Sequence, residues 1–388
     1  MLRRRNEQWM VDLAIRLAGL DSLWIEMMPA WLECGHRLLD IQKTNARIRS
    51  LGMMSKEWER TARLTEEHAR AAEEAGHRVT AGEFYHRAAL YYGRAKWPIF
   101  DDTSPRKRRL SEQQNACFDK VIAYNDLYRL ERVEIPFEGR SLAGILHHVP
   151  GPDRPPCVIF APGMDMTKED FPNVQNNIFV RRGLACLSID GPGQGESNLR
   201  GIKAELDNYE RAVSAAVDFL QARGDVDGER LALLGLSLGG YWSVRAAAAE
   251  RRLKAHVSMI GIYGSLDSFL NVAPPTFRHT FMYMAGLQTD EAMDAMGEQM
   301  SVLELAARIH CPTLLAVGEY DQLSPHPETL AFYDRLAGPK ELWVYEGEFH
   351  AMGARRADLW PQIADWITTA LAGCLDPGYA RTVVVPER

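Results

Sequence analysis

Cysteine is sparse and never paired along the chain: Cys34, Cys117, Cys157, Cys186, Cys311 and Cys374 stand apart, with no C-x-x-C among them. That spacing argues against a disulfide framework or a thiolate metal knot and fits small, reduced side chains of a cytosolic protein. No run of about 18 uncharged apolar residues occurs, so no membrane-spanning helix is expected. A signal-peptide core is also missing: the opening MLRRRNEQWMVDLAIRLAGL is basic, but Glu7, Asp12 and Arg16 interrupt it and leave an amphipathic helix. Positive charge is not in excess, since 45 Lys and Arg against 52 Asp and Glu give a net −7, which argues against a nucleic-acid partner.

Metal and nucleotide signatures are equally thin. His147 and His148 are neighbours on one strand and point to opposite faces, and the other histidines are not at ligand spacing. The glycine-rich Gly191-Pro192-Gly193-Gln194-Gly195 lacks a following Lys-Ser/Thr and does not open a helix as G-x-G-x-x-G, so it reads as a turn. Neither a cofactor nor a metal is expected, and the implied partner is a small-molecule substrate.

What is present divides in two. At 388 residues the chain exceeds one comfortable core. Residues 1–130 read as helices throughout, with apolar positions at helical spacing such as Trp24, Met27, Met28, Trp31 and Leu32. The aromatic row of Glu83 to Phe100, with His86 inside it, reads as a core face of a helical bundle rather than a substrate-contacting face. A faint spacing echo near residues 82 and 116 is too short for a repeat array. Arg106 to Arg109, after Pro105, reads as a solvated loop between helices.

From about residue 130 strands alternate with helices. A hairpin is expected over 132–149, then strands at Cys157 to Ala161, Leu184 to Asp190, from Leu231, at His256 to Ile260, Thr313 to Val317 and Glu341 to Tyr345. A helical crossover is expected between the second and third of these blocks, and further helices over Glu205 to Ala222 and Leu359 to Leu371. This is α/β grammar: a mostly parallel sheet flanked by helices on both faces, with ligands gathering at the carboxyl ends of the strands.

One stretch organises the rest. Arg230 to Tyr241, RLALLGLSLGGY, is an apolar strand, a G-x-S-x-G turn and a helix start. A serine at the apex of such a turn is held in a strained conformation that exposes its hydroxyl. Taken alone the pattern also suits a helix-capping serine. A hydroxyl needs a base, and the base an orienting acid; Asp321 and His350 each follow a strand, in the order Ser, Asp, His that this architecture requires. Glu319, two residues before Asp321, is the rival acid. The oxyanion donors expected are the N–H groups of Leu238, at the helix start, and of Met164, after the Cys157–Ala161 strand, with Gly163 as substitute for the latter. Asp165, Lys168 and Glu169 beside it read as a loop ion pair rather than a substrate contact.

These residues resemble the α/β-hydrolase superfamily. More narrowly, GMDMTKE (Gly163 to Glu169), DGPGQGE (Asp190 to Glu196), GLSLGG (Gly235 to Gly240), the Asp321 and His350 pair and the helical leader with EFYHRAALYY resemble the 2,6-dihydroxypseudooxynicotine hydrolase group, relatives of the FrsA-like esterases and of fungal hydrolases that shorten polyketide chains. The resemblance covers nearly the whole chain. It implies an α/β-hydrolase fold over residues 131–388 with an all-helical N-terminal cap over 1–130 that helps cover the active site and build a homodimer. It also implies that a serine triad hydrolyses a carbon–carbon bond next to a ketone: Ser237 adds to the carbonyl, Leu238 and Met164 hold the oxyanion, and His350 protonates the leaving fragment. The same triad would serve a carboxylesterase, lactonase or thioesterase, and a non-catalytic binding protein on this scaffold is a further alternative. Residues 263–303, rich in Met and aromatics, read as a lid insertion, and Asp267 lies near where the group carries an extra pocket carboxylate.

Overall fold

The computed structural model describes residues 8–151, 153–266, 270, 271, 273 and 275–387. Asp267 lies outside the described residues. The chain forms two compact units, one running to Leu127 and including Asn173–Asn176, the other made of Tyr128–Pro172 and Asn177 onward.

The first unit is helical among the described residues: α1 (Gln8–Ala18), α2 (Leu20–Leu23), α3 (Met28–Cys34), α4 (Leu38–Asn45), α5 (Met54–Glu74), α6 (Arg78–Lys96) and α7 (Pro105–Tyr124). The aromatic row lies on α6 and packs inside this unit: Tyr85, His86, Tyr91 and Tyr92 are buried. Each tyrosine keeps a partner for its hydroxyl, Tyr91 donating to Asp40 at 2.8 Å and Tyr92 to Glu66 at 2.5 Å. The basic run is not a loop. Ser104 caps α7, accepting from the Lys107 N–H, Pro105 occupies the first turn, and Arg106 to Arg109 are helical. Their charges are taken up by neighbours, Arg106 and Arg109 by Glu59 and Lys107 by the Ile99 carbonyl at 2.6 Å. A Ser-Pro start pre-forms a helix, which outweighs the solvation preference of four adjacent cations.

Burial also determines how stability responds to acid. Burial, followed by the Arg94 charge, pushes the His36 pKa far down; burial pushes His86 to about 4 and His256, in the second unit, to about 3. These imidazoles stay neutral in the fold, while the unfolded chain takes up their protons below about pH 6.5. Their contribution is therefore complete above pH 6.5 and falls as pH drops toward the folded values. Between pH 6.5 and 5 the loss is about 2 kcal/mol for each of His86 and His256. Urea denaturation at pH 7.5 and pH 5 should show a clear drop in midpoint; equal midpoints would refute this account.

The second unit carries one nine-stranded sheet, in the order β1-β2-β4-β3-β5-β6-β7-β8-β9. The strands are β1 (Leu130–Phe137), β2 (Arg140–His147), β3 (Cys157–Ala161), β4 (Ala185–Ile189), β5 (Leu231–Leu236), β6 (Ala255–Met259), β7 (Thr313–Gly318), β8 (Lys340–Tyr345) and β9 (Ala380–Val385). β1 and β2 form the expected hairpin, turned by Glu138 and Gly139, both at positive φ. β2 meets β4 antiparallel, and every later pairing is parallel. Among the described residues the unit also carries helices α8 (Gly195–Leu199), α9 (Asn208–Gln221), α10 (Leu238–Ala249), α11 (Pro275–Ala285), α12 (Asp290–Gln299), α13 (His326–Arg335) and α14 (Arg356–Leu371). Two apolar clusters, one on each face, bury the sheet: α9 and α10 contribute Val213, Val217 and Trp242 to one, α14 contributes Leu359, Ile363 and Ile367 to the other. Alternation in β3 divides its side chains between them, Ile159 on the first and Val158 and Phe160 on the second.

Two expectations need correction. The β3–β4 connection holds no α-helix, only a single 3₁₀ turn at Val180–Arg182. Pro172 interrupts the segment, since proline donates no N–H and disfavours helical backbone at the residue before it, and Asn177 caps only the short turn that follows, its side-chain oxygen accepting from the Phe179 and Val180 N–H groups. The edge strand β9 was not expected: its ARTVVV is largely exposed and lacks the burial pattern that marks the inner strands. In the 263–303 insertion, α11 and α12 are followed by a bridge from Ser301 back to Ser265. Its methionines Met284, Met293 and Met300 are core, packed in the same cluster as Trp242.

Candidate active site

Strands β3 to β9 run parallel, so the loops after them emerge at one edge of the sheet, and the chemistry-bearing residues are there. Ser237 follows β5 directly. Its backbone has φ 55 and ψ −119, a conformation costly for a side chain and kept by its surroundings, with its N–H donating to the Met259 carbonyl of β6 at 2.9 Å. Close approach makes the turn possible. A Cβ on Gly235 would lie 2.1 Å from the Gly239 carbonyl oxygen, and one on Gly239 would lie 2.1 Å from the Ala161 carbonyl oxygen. Gly235 thus lets α10 lie on β5, and Gly239 lets α10 lie against the end of β3.

The structure brings three of the expected residues together. His350, in the loop between β8 and α14, places Nε2 2.8 Å from Ser237 Oγ, and its Nδ1 is 2.9 Å from both Asp321 carboxylate oxygens. Asp321 is buried after β7, and its Oδ1 also accepts from the Leu323 and Ser324 N–H groups at 2.9 and 3.0 Å, which fixes the carboxylate plane. The rival Glu319 turns elsewhere, accepting from the Gly347 N–H at 3.1 Å. A carboxylate on Nδ1 selects the tautomer whose Nε2 accepts the hydroxyl proton, and it stabilises the imidazolium formed when that proton moves.

The two expected oxyanion donors lie on segments next to Ser237. Leu238 is the first residue of α10, and a Cβ on Gly163, the residue before Met164, would lie 3.7 Å from Ser237 Cβ. Among the described residues neither the Leu238 nor the Met164 N–H is taken by a protein acceptor. Open donors at a helix start and an adjoining loop suit a developing negative charge.

The Lys168 pairing expected on a loop is instead buried. Its Nζ is 2.6 Å from Glu169, 3.0 Å from Asp190 and 3.2 Å from Glu196, with Lys168 and Asp190 essentially inaccessible. Burial alone would lower the ammonium pKa, but Asp190, Glu169 and Glu196 together raise it above the ordinary lysine value. This cluster ties the GMDMTKE loop to the DGPGQGE loop, and neither motif reveals it separately.

One acid–imidazole group escaped the sequence reading. Glu131, His148 and Asp225 converge with ligand atoms within 4.8 Å of one another. Two guanidinium groups already serve these carboxylates, Arg129 at 2.9 and 2.8 Å and Arg223 at 2.8 and 2.7 Å, so the group is an ion-pair network. His147 bonds a different set, Tyr128 and Asn177 at 3.2 Å each, as strand alternation requires.

Residues 40–304 match the family model described as Esterase FrsA-like. The chain is 30% identical over 272 residues to 2,6-dihydropseudooxynicotine hydrolase of Paenarthrobacter nicotinovorans, covering 69% of this chain and 70% of that one. It is 33% identical over 356 residues to Hydrolase ORFZ of Pyricularia oryzae, covering 77% and 82%. The crystal structure of the 2,6-dihydroxy-pseudo-oxynicotine hydrolase superposes with a TM-score of 0.78 at 25% identity, over 90% of this chain and 98% of that one. No helix among the described residues is long and apolar enough to cross a membrane.

Proposed function

This chain belongs to the FrsA-like esterase family of α/β-hydrolase enzymes, and from that premise we propose that it is a serine hydrolase cleaving a carbon–carbon bond next to a ketone in a small aromatic or polyketide-like metabolite. The observation that carries the serine chemistry is His350, with one ring nitrogen 2.8 Å from Ser237 Oγ and the other 2.9 Å from Asp321. The substrate class rests on the similarity to a hydrolase of 2,6-dihydropseudooxynicotine across two thirds of both chains.

In this reading Ser237 Oγ adds to the ketone carbon as His350 takes its proton. The new alkoxide lies between the Leu238 and Met164 N–H groups. Collapse breaks the bond to the neighbouring carbon, whose electron pair is held as an enolate by the second ketone, and His350 returns the proton there. The acyl group remains on Ser237 as an ester. Water, deprotonated by His350, releases it as a carboxylic acid and restores the hydroxyl. One water is consumed, one acid and one ketone are formed, and no redox change occurs.

The test offers the enzyme and its Ser237→Ala variant aryl β-diketones, acyl phenols and p-nitrophenyl esters, with products identified by mass spectrometry. Diketone scission that disappears in the variant is expected. Turnover of the esters alone would make the chain an esterase and refute the carbon–carbon reading.

A further inference from the structure

The glycine-rich turn after β4 is aimed at the oxyanion loop. Gln194, 2% exposed, sends its side-chain Nε2 to two successive carbonyl oxygens of the loop after β3, Pro162 at 2.9 Å and Gly163 at 3.0 Å. Its own Oε1 accepts from the Tyr209 hydroxyl at 3.0 Å, and this third contact determines which end of the amide faces the carbonyls. Tyr209 is itself fully buried on α9, its ring stacked on Trp242 of α10 at 5.2 Å with an interplanar angle of 2°. It reaches Gln194 because residue 191 is glycine: a Cβ there would lie 2.4 Å from the Tyr209 ring.

In a trans peptide the C=O and the following N–H point in opposite directions across one rigid plane. Holding the Gly163 oxygen toward Gln194 therefore turns the Met164 N–H away from Gln194, and holding the Pro162 oxygen does the same for the Gly163 N–H. Two consecutive N–H groups turned one way form a concave anion-binding arrangement. Gly163 is also the residue that lies against Ser237. The Gly163 oxygen takes a second bond from the Met166 N–H at 3.2 Å, which alone would leave the Pro162 carbonyl unheld.

The geometry points to Gln194 as a positioning residue that, backed by Tyr209, holds the Gly163–Met164 peptide with its N–H available to the reacting oxygen. This rests on the serine-hydrolase reading and deepens it. Gln194 touches neither Ser237 nor His350 through any described bond, and it acts through the loop backbone. Without it the Gly163 carbonyl keeps only the Met166 N–H, and a flip of the less firmly held peptide would replace the donor by a carbonyl oxygen. Removal of one oxyanion donor slows the chemical step by on the order of 10²-fold.

The experiment uses the full chain and an alkyl fluorophosphonate, whose P=O oxygen makes the same demand on the donors, with phosphonylation followed by intact mass. For Gln194→Met the maximal inactivation rate should fall by on the order of 10²-fold with the half-saturating probe concentration within about threefold, because the defect is in the bond-making step. Gln194→Glu, which presents oxygens to the two carbonyls, should be at least as slow. Tyr209→Phe keeps the stack on Trp242 and should show a smaller loss of the same kind. Cooperative thermal unfolding near the wild-type temperature is expected for Tyr209→Phe, which keeps the test available if the Gln194 variants fail to fold. Wild-type inactivation rates in both Gln194→Met and Tyr209→Phe would overturn the assignment, as would a loss in which rate, half-saturation and thermal stability decline together. A wild-type enzyme that the probe does not label at Ser237 brings down the serine-hydrolase reading itself, an outcome distinct from labelling that is indifferent to Gln194.

Discussion

Ser237→Ala is expected to lower turnover by on the order of 10⁴- to 10⁶-fold, the largest effect of any single change in this chain. The substitution removes Oγ and with it the 2.8 Å bond to His350 Nε2, while leaving the Cβ that the turn already accommodates. Its backbone at φ 55 is bound by the N–H to Met259 and by the packing of Gly235 and Gly239, none of which depends on the hydroxyl. The variant should thus fold as the wild type does and bind substrate with unchanged affinity. Asp321→Asn should be severe as well, since an amide on Nδ1 favours the wrong tautomer. Steady-state turnover on the diketone panel, with circular dichroism as the fold control, checks this. A Ser237→Ala enzyme retaining a tenth of wild-type turnover would remove serine from the mechanism.

Lys168→Met should destabilise the fold by about 3 to 5 kcal/mol, because it leaves carboxylates in the interior without the cation that offsets their lost hydration. The ammonium is the common partner of Glu169, Asp190 and Glu196, at 2.6 to 3.2 Å. Asp190 is completely buried and also accepts from the Lys168 and Glu196 backbone N–H groups, 2.8 Å each, so it has no route to water. Arg132 and Arg200 approach Glu196 at 3.6 and 2.6 Å and hold that end of the cluster; they make no described bond to Asp190. Urea denaturation measures the loss. Adding Asp190→Asn to Lys168→Met should recover part of it, as coupled partners do in a double-mutant cycle. A loss below about 1 kcal/mol would show the cluster to be electrostatically neutral for stability.

The sheet was legible because its strands are short apolar runs between turn residues, and the turn at Ser237 because only glycine tolerates the close approaches that Gly235 and Gly239 make. Asp321 and His350 were legible by order and by their positions after strands. The connection after β3 was misread because its length suits a crossover helix, whereas Pro172 interrupts it. The Arg106–Arg109 run was misread because charge was weighed above the Ser104-Pro105 helix start. Gln194 was passed over as part of a turn. A glutamine inside a glycine-rich stretch directly after a buried strand was the available signal, but its target is two carbonyls 31 and 32 residues away.

By itself the sequence determined the α/β grammar of residues 130 onward, the helical character of what precedes them, and the candidate serine and histidine with two candidate acids, Asp321 and Glu319, since each depends on local pattern or on order along the chain. Only the tertiary structure decided which acid meets His350, where the Lys168 charge is balanced, and which side chain holds the Gly163 carbonyl. Those are contacts across a sheet of parallel strands, where neighbours such as β3 and β5 are separated by some seventy residues of chain. Local propensity carries no information about register across such a gap; only the burial of both sheet faces at once sets it.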